Sequence, residues 1–590
     1  MQFHTWLSTS LTRVFPQSRP GTAKRLEVWA ARGERVAFQV CGRQDCGLAL
    51  PLTVAVKGAS AGVSLRVRRV GCVPVAHHND WVFADSREGN LPGFVPDVLI
   101  DGSETRAASE ESTAFWVTVE VARNARPGRR RLAVELTVGK DHTFRRARLT
   151  VDLQVSPVVV ERRKNFRVTH WFYADAIADW YKVAPFSKAF WPLCAKFMRN
   201  FAEHGSDTIY VPIFTPPLDG VKTPTQLVHV TRVGKDRYKF GWSQVKQWIA
   251  TAKKAGITHF EWAHLFTQWG VKNALRIYHG HGQGADEKLL WPVETGATSP
   301  TYRKFLAQFL PELKRFIERE GLMGRSFFHV SDEPHGDEAL TNYRAARQLL
   351  RELAPWMRVM DALSDIRFGR EQLTDLPIPV IKTALQFKAE GIPSWCYYCC
   401  SPGGRFTNRF MDTPLANVRA QGWLFYRHGF GGFLHWGFNY WYKRQSRTLI
   451  DPFTVSDGGA WPGWTYGDPF VVYPAGKPAG EPEAGPGASG CVGIGWEARR
   501  LEPGPLDSIR WEVFHETLQD YALLETLGVP PEDPRLKAFK TFEAFPRDAK
   551  VVLGLRKALL KRGDVSNDRF REALNAVMRK HAGALRRLAD

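Results

Sequence analysis

Residues 327–334 read Phe-Phe-His-Val-Ser-Asp-Glu-Pro, an apolar, β-prone run that ends in two adjacent carboxylates and a proline. Pro334 has no backbone N–H, so a ladder cannot continue through it, and Asp332 and Glu333 stand where the strand must stop. Two carboxylates at one point can divide labour. Glycoside hydrolysis asks for that division: one carboxylic acid protonates the departing oxygen while a negative group supports an oxocarbenium-like centre. A direct nucleophile and its acid normally come from separate strands. Neighbours in sequence fit substrate-assisted hydrolysis better, where the sugar's own 2-acetamido oxygen attacks C1. The competing structural assignment is a solvated loop start, with Asp332 as a cap.

Such a pair needs a scaffold that brings strand ends together. Strands are predicted at 168–173, 208–214, 257–262, 327–331 and 357–360, with weaker ones at 380–383, 395–400 and 432–436. Between them run helical stripes. Phe190, Leu193, Cys194, Phe197 and Phe201 precede Gly205; Trp242, Val245, Trp248, Ile249 and Ala252 precede Gly256; Phe305, Phe309, Leu313, Phe316 and Ile317 precede Gly321. Leu340, Tyr343, Ala346, Leu350 and Leu353 mark a further helix, with Asp337 as its predicted N-cap. Eight strands alternating with helices predict a (β/α)8 TIM-type barrel over residues 161–450, whose chemistry sits at strand C-termini. The short stretch 361–391 leaves little room for a full sixth strand and helix. On this criterion the candidates are Trp171, Tyr173, Asp175, Glu261, His264, Asp332, Glu333, Asp361, Tyr397, Tyr398, His435, Trp436, Asn439 and Trp441.

The rest of the chain is organised around that barrel. Residues 115–119, 131–138 and 148–155 alternate with period two, with Pro127-Gly128 as a turn, and predict a β-sandwich over 1–160. Residues 451–507 are rich in Gly and Pro and are expected to be a loop. Ile509, Val513, Leu518, Tyr521 and Leu524 predict an amphipathic helix that opens a helical segment, 508–590, continuing into basic helices packed on the barrel. The fold class is therefore multidomain.

Composition excludes several functions. Net charge is +21, but the basic residues are scattered and no nucleic-acid motif is present, so a diffuse basic surface is expected. No run approaches the ~18 apolar residues of a membrane span. The N-terminus lacks a basic and then apolar leader, which points to a cytoplasmic protein. Eight cysteines in 590 residues do not make a disulfide framework. Cys396, Cys399 and Cys400 have no second ligand pair at zinc spacing, so free thiols in a buried strand are expected, with no metal and no cofactor. No stretch specifies an oligomeric state.

Residues 327–334, the run from Trp395 to Pro402 with Asn408 after it, residues 432–439 and the tail 508–512 leading to Asp520-Tyr521 together resemble glycoside hydrolase family 123 and the related domain-of-unknown-function 4091 group. Patches at Gly33-Glu34 and Pro96-Asp97 extend the resemblance over most of the chain. It implies an exo-acting β-N-acetylgalactosaminidase, working by substrate assistance through an oxazoline with net retention. Asp332 would hold and polarise the acetamido group, and Glu333 would be general acid and then base. Tyr398 and Asn408 are then expected as sugar contacts, Trp171 as a platform, His264 as a further member of the binding set, and Trp436, Asn439 and Trp441 as walls of the −1 site. The expected partner is a glycan with a terminal N-acetylhexosamine, not nucleic acid or membrane. Two alternatives stay open: a hydrolase of another sugar pairing Glu333 with Glu261 or Asp361, and a non-catalytic glycan-binding protein.

Overall fold

The computed structural model describes residues 1–80, 82–217, 222–477 and 494–561. The N-terminal region is rich in sheet. One five-stranded sheet orders Phe3–Thr9, Glu34–Gln44, Thr113–Val121, Val63–Val75 and Gly93–Asp101; the other orders Arg25–Arg32, Arg145–Val159, Gly128–Val138, Leu50–Lys57 and Glu104–Ala107. Alternation sends every second side chain inward. Phe38, Val40 and Val117 of the first sheet accordingly share one apolar cluster with Leu132, Val134 and Leu153 of the second.

The central domain is a curled parallel sheet with helices. Six strands run in the order Ser326–Phe328, His259–Trp262, Thr208–Val211, Arg167–His170, Gly432–His435, Cys396–Tyr397. A separate parallel pair, Met360–Ala362 with Leu376–Ile378, stands between the two outer strands in sequence. Single bridges connect it on either side, Phe328 with Val359 and Val380 with Tyr397. Five of the predicted strands lie close to their expected places and three differ. The fifth begins at Met360 instead of 357, and the seventh is reduced to Cys396–Tyr397. The sixth is Leu376–Ile378, and residues 380–383 instead turn into the helix Ala384–Ala389, with Thr383 N–H donating to the Val380 carbonyl at 2.9 Å. Pro377 and Pro379 lack N–H donors, which shortens the ladder there and explains the displacement.

Helix starts follow local chemistry. Ser299 accepts from Tyr302 N–H and Pro300 takes the first helical position of Pro300–Arg319. Asp337 is not the cap of Gly336–Leu353: His335 occupies that position, and Asp337 lies in the first turn, where its charge faces the helix N-terminus.

The tail helix, Ile509–Thr526, departs from the expected amphipathic pattern, since nearly all of its residues are buried, charged ones included. It lies between the N-terminal sheets and the helix Leu415–Arg427, and ions meet it on both sides. Arg510 bonds Asp97 at 3.0 Å, Glu512 bonds Arg68 at 2.8 Å, and Asp520 bonds Arg419. A Cβ at Gly422 would fall 2.1 Å from the Thr517 carbonyl, so the two helices touch where no side chain fits. The expected loop 451–507 contains an antiparallel pair, Val472–Ala475 with Gly504–Asp507; the expected helical segment 508–590 includes a second helix, Ala549–Lys561, and residues 478–493 and 562–590 lie outside the described residues. Among the described residues no helix is long and apolar enough to cross a membrane.

Candidate active site

The strand Ser326–Phe328 ends in a segment anchored from three sides. Leu265 and Phe266 N–H donate to the carbonyls of His329 and Val330, at 3.2 and 3.0 Å. Val330 and Ser331 N–H donate to the Asp361 carboxylate, at 3.2 and 3.3 Å. Asp332 accepts Trp269 N–H on its carbonyl, and Glu333 N–H donates to the Ala362 carbonyl, both at 2.9 Å. Glu333 adopts φ +44°. That left-handed conformation costs an L-residue about 1–2 kcal/mol, and such strain persists only where neighbours over-determine it. Its consequence is geometric. Adjacent side chains of a regular strand point to opposite faces, whereas here Asp332 and Glu333 line the same cavity.

That cavity, about 100 Å³, has a graded wall. Its deepest lining residues, Trp171, Leu434, Ala362, Tyr397 and Asp332, are buried. Glu333, Trp436, Trp464, Cys399 and Cys400 are half-buried, and Trp269 and Gln445 are exposed. The Tyr397 hydroxyl donates to Glu333 Oε1 at 2.5 Å, and Gln268 Nε2 donates to Asp332 Oδ2 at 3.0 Å. Trp436 Nε1 donates to Asp468 at 2.7 Å, which holds its indole against the opening.

Beneath the cavity lies a second, wholly enclosed polar layer. His329 lies between Glu261, 2.8 Å from its Nε2, and Asp361, 3.0 Å from its Nδ1. Burial alone would lower the His329 pKa, but its bonds to Asp361 and Glu261 win and raise it to about 10, so the ring is an imidazolium donating both protons. Burial raises Asp361, against the opposing pull of His329 and Tyr343. Glu261 also accepts Trp171 Nε1 at 2.8 Å, so the buried ion layer fixes the floor of the pocket.

A larger cavity, about 500 Å³, opens at the opposite end of the central sheet, where Arg167, His259 and Ser326 begin their strands. Among the described residues no carboxylate lines it. Size therefore does not mark the candidate site; the carboxylates at the strand C-termini do.

Of the residues expected from sequence, Asp332, Glu333, Trp171 and Trp436 come together. His264 is buried just behind them, its ring 4.5 Å from that of His329 and 5.4 Å from Trp171. Burial, reinforced by His329, holds it well below the ordinary histidine range, so it is neutral. Tyr398, Asn408, Asn439 and Trp441 are not in the lining. The Tyr398 hydroxyl donates to Gln421 in the core at 2.9 Å. Asn408 Nδ2 donates to the carbonyls of Cys399 and Pro402, tying down the loop behind the pocket. Asn439 clamps both backbone groups of Tyr173, each at 2.9 Å. Trp441 packs edge-on against Trp180 and Phe197. Sequence reasoning missed Gln268, Trp269 and Trp464, and ranked Tyr398 over Tyr397. Period two supplied a signal for the last: Tyr397 and Cys399 share a face, and Cys396 and Tyr398 share the other.

Comparison with known proteins identifies the family of this region. Residues 171–482 match the family model described as glycoside hydrolase 123, catalytic domain. A solved family 123 glycoside hydrolase from Clostridium perfringens, described in connection with glycolipid glycan hydrolysis, is similar over 98% of this chain and 100% of its own, with TM-score 0.70 and 13% identity. Likeness to a β-glucuronidase from Parabacteroides merdae is much weaker, at TM-score 0.27 and 9% identity over 74% of this chain and 47% of that one. An endo-β-1,4-mannanase from Thermotoga petrophila gives TM-score 0.33 and 13% identity, over 62% and 78%. No curated protein matches the chain.

Proposed function

The chain belongs to glycoside hydrolase family 123, and from that premise we propose that it is an exo-acting β-N-acetylgalactosaminidase that releases the terminal sugar by substrate-assisted, retaining hydrolysis. One observation carries the reading. The carboxylates among the described residues lining the aromatic cavity are Asp332 and Glu333, whereas Glu261 and Asp361, at neighbouring strand ends, are fully enclosed and bonded to His329. A hydrolase with separate carboxylates would need one of that second pair to reach the sugar.

In the proposed reaction Asp332 accepts the acetamido N–H and polarises the group, and the acetamido oxygen attacks C1. Glu333 donates its proton to the departing glycosidic oxygen, leaving an oxazolinium ion whose N–H remains on Asp332. Glu333, now a carboxylate, takes a proton from water as that water adds to C1, and the ring opens with the original configuration kept. Tyr397 holds Glu333 through both steps, and Gln268 holds Asp332. The natural substrate is proposed to be a glycan ending in N-acetylgalactosamine, with glycolipid glycans as the class suggested by the Clostridium perfringens protein. The same reading takes the central region, 161–450, as a closed (β/α)8 barrel between a β-sandwich (1–160) and a helical segment from 508. Support for closure comes from the Phe328–Val359 and Val380–Tyr397 bridges.

The test is hydrolysis of the aryl β-N-acetylgalactosaminide beside its N-acetylglucosaminide and plain galactoside counterparts. Release from the acetamido sugars, fastest for the galacto form, is expected. Cleavage of the plain galactoside alone would remove substrate assistance.

A further inference from the structure

Among the described residues Trp269 is the one exposed tryptophan, at 41%, and it stands at the rim of the catalytic cavity. A side chain of this size normally hides most of its surface. Here the backbone holds it out. Trp269 and Val271 take φ +55° and +56°, a region L-residues rarely occupy. The loop is fastened on both sides: Trp269 N–H to the Asp332 carbonyl, the Gly270 carbonyl to Asn342 Nδ2, and Val271 buried to 1% as an apolar anchor. An exposed indole is thus tied, through its residue's backbone N–H, to the turn that carries both acids.

Depth within the cavity gives the direction. The buried floor, Trp171 and Leu434, faces the closed end, and the exposed rim is Trp269 and Gln445. Glu333, half-buried between them, must meet the glycosidic oxygen, so whatever lies beyond that oxygen leaves past the rim. We propose that Trp269 is the platform of a leaving-group subsite that takes a second pyranose ring, stacked by its C–H face, with Gln445 as a polar partner for its hydroxyls. The preferred substrate is then an oligosaccharide chain and not a simple glycoside. This inference rests on the proposed glycosidase reading.

The experiment compares kcat/KM for methyl β-N-acetylgalactosaminide and for a methyl disaccharide with the same sugar β-linked to galactose, because both release an alcohol of similar reactivity. Wild type should favour the disaccharide. Trp269→Ala should narrow that preference about tenfold, falling further on the disaccharide than on the methyl glycoside, while Trp269→Phe regains most of the loss. An equal fall on both substrates, or none, overturns the platform. Calorimetry on Glu333→Gln protein separates the two proposals. Tighter binding of the disaccharide than of the monosaccharide, abolished by adding Trp269→Ala, sustains the platform even if wild type cleaves neither sugar, an outcome that would remove the hydrolase reading alone. Failure of the Glu333→Gln protein to prefer the disaccharide overturns the platform.

Discussion

Two pairs of carboxylates end neighbouring strands of the central sheet, and their surroundings could hardly differ more. Glu261 and Asp361 are fully enclosed, and each of their oxygens meets a donor: Thr169, Trp171 and His329 for the first, His329, Tyr343 and the 330–331 backbone for the second. Asp332 and Glu333 open to a cavity, and among the described residues Glu333 meets one donor, Tyr397, on one oxygen. A carboxylate whose oxygens both accept buried donors cannot take a proton without breaking one of those bonds. One that faces a cavity is free of that constraint. The enclosed pair is therefore structural charge that sets the floor, and the proposed chemistry falls to the open pair.

Loss of the open pair should cost activity and spare the fold. Glu333→Gln is expected to lower kcat on alkyl glycosides by about three to four orders of magnitude, the upper range for a general acid, with an unchanged thermal midpoint. Asp332→Asn should cost about 10²–10³-fold on acetamido sugars, as removal of a charge aimed at the reacting group does. Steady-state kinetics on the aryl and alkyl β-N-acetylgalactosaminides checks this. If Glu261→Gln abolished turnover at full stability, the contrast would be broken and the separate-carboxylate alternative restored.

The enclosed layer should show the reverse. His329→Gln leaves two buried carboxylates without their cation, and is expected to cost about 3 kcal/mol or more of stability in denaturant titration. The pH sign follows from the raised pKa. His329 titrates at about 10 in the fold and near 6.5 when unfolded. Its contribution is thus complete below about pH 6.5 and is lost as pH rises through about 10. Wild-type melting temperature should fall across that window, and His329→Gln should flatten the slope. A slope unchanged by the substitution would mean that the ring is neutral.

Much of this arrangement was legible before any coordinates. Period-two alternation before residue 160 and the strand–helix rhythm after it predicted two kinds of sheet, and the Asp-Glu-Pro stop pointed to two carboxylates that line one cavity. What escaped had physical causes. Pro377 and Pro379 displaced the sixth strand, because a ladder short of donors ends early. The apolar stripe Ile509, Val513, Leu518, Tyr521 and Leu524 predicted an amphipathic tail helix, yet Glu512, Glu516 and Asp520 are each buried against arginine from another element. Pairing between residues so far apart in the chain leaves no local signature. Asn439 and Trp441 were expected at the sugar because they follow a strand, but the chain has already turned into the core there, with Trp441 Nε1 donating to the Val472 carbonyl. Trp269 escaped for the opposite reason, since it lies on a loop with no periodicity.

The smallest expected effects draw the contrast most sharply, because they compare neighbours. Tyr397, the last residue of the seventh strand, and Tyr398, the next in the chain, carry the same hydroxyl to opposite sides. Tyr397→Phe removes the donor on Glu333 and should lower kcat/KM by about tenfold, the worth of a hydrogen bond to a charged group. Tyr398→Phe removes a donor to Gln421 inside the core. It should cost about 1 kcal/mol of stability and leave kcat/KM close to wild type. Measuring both properties for both variants yields a crossed pattern if period-two geometry assigns the faces correctly. Equal kinetic losses would show that the seventh strand presents both residues to the sugar, and that the line drawn between open and enclosed groups runs elsewhere.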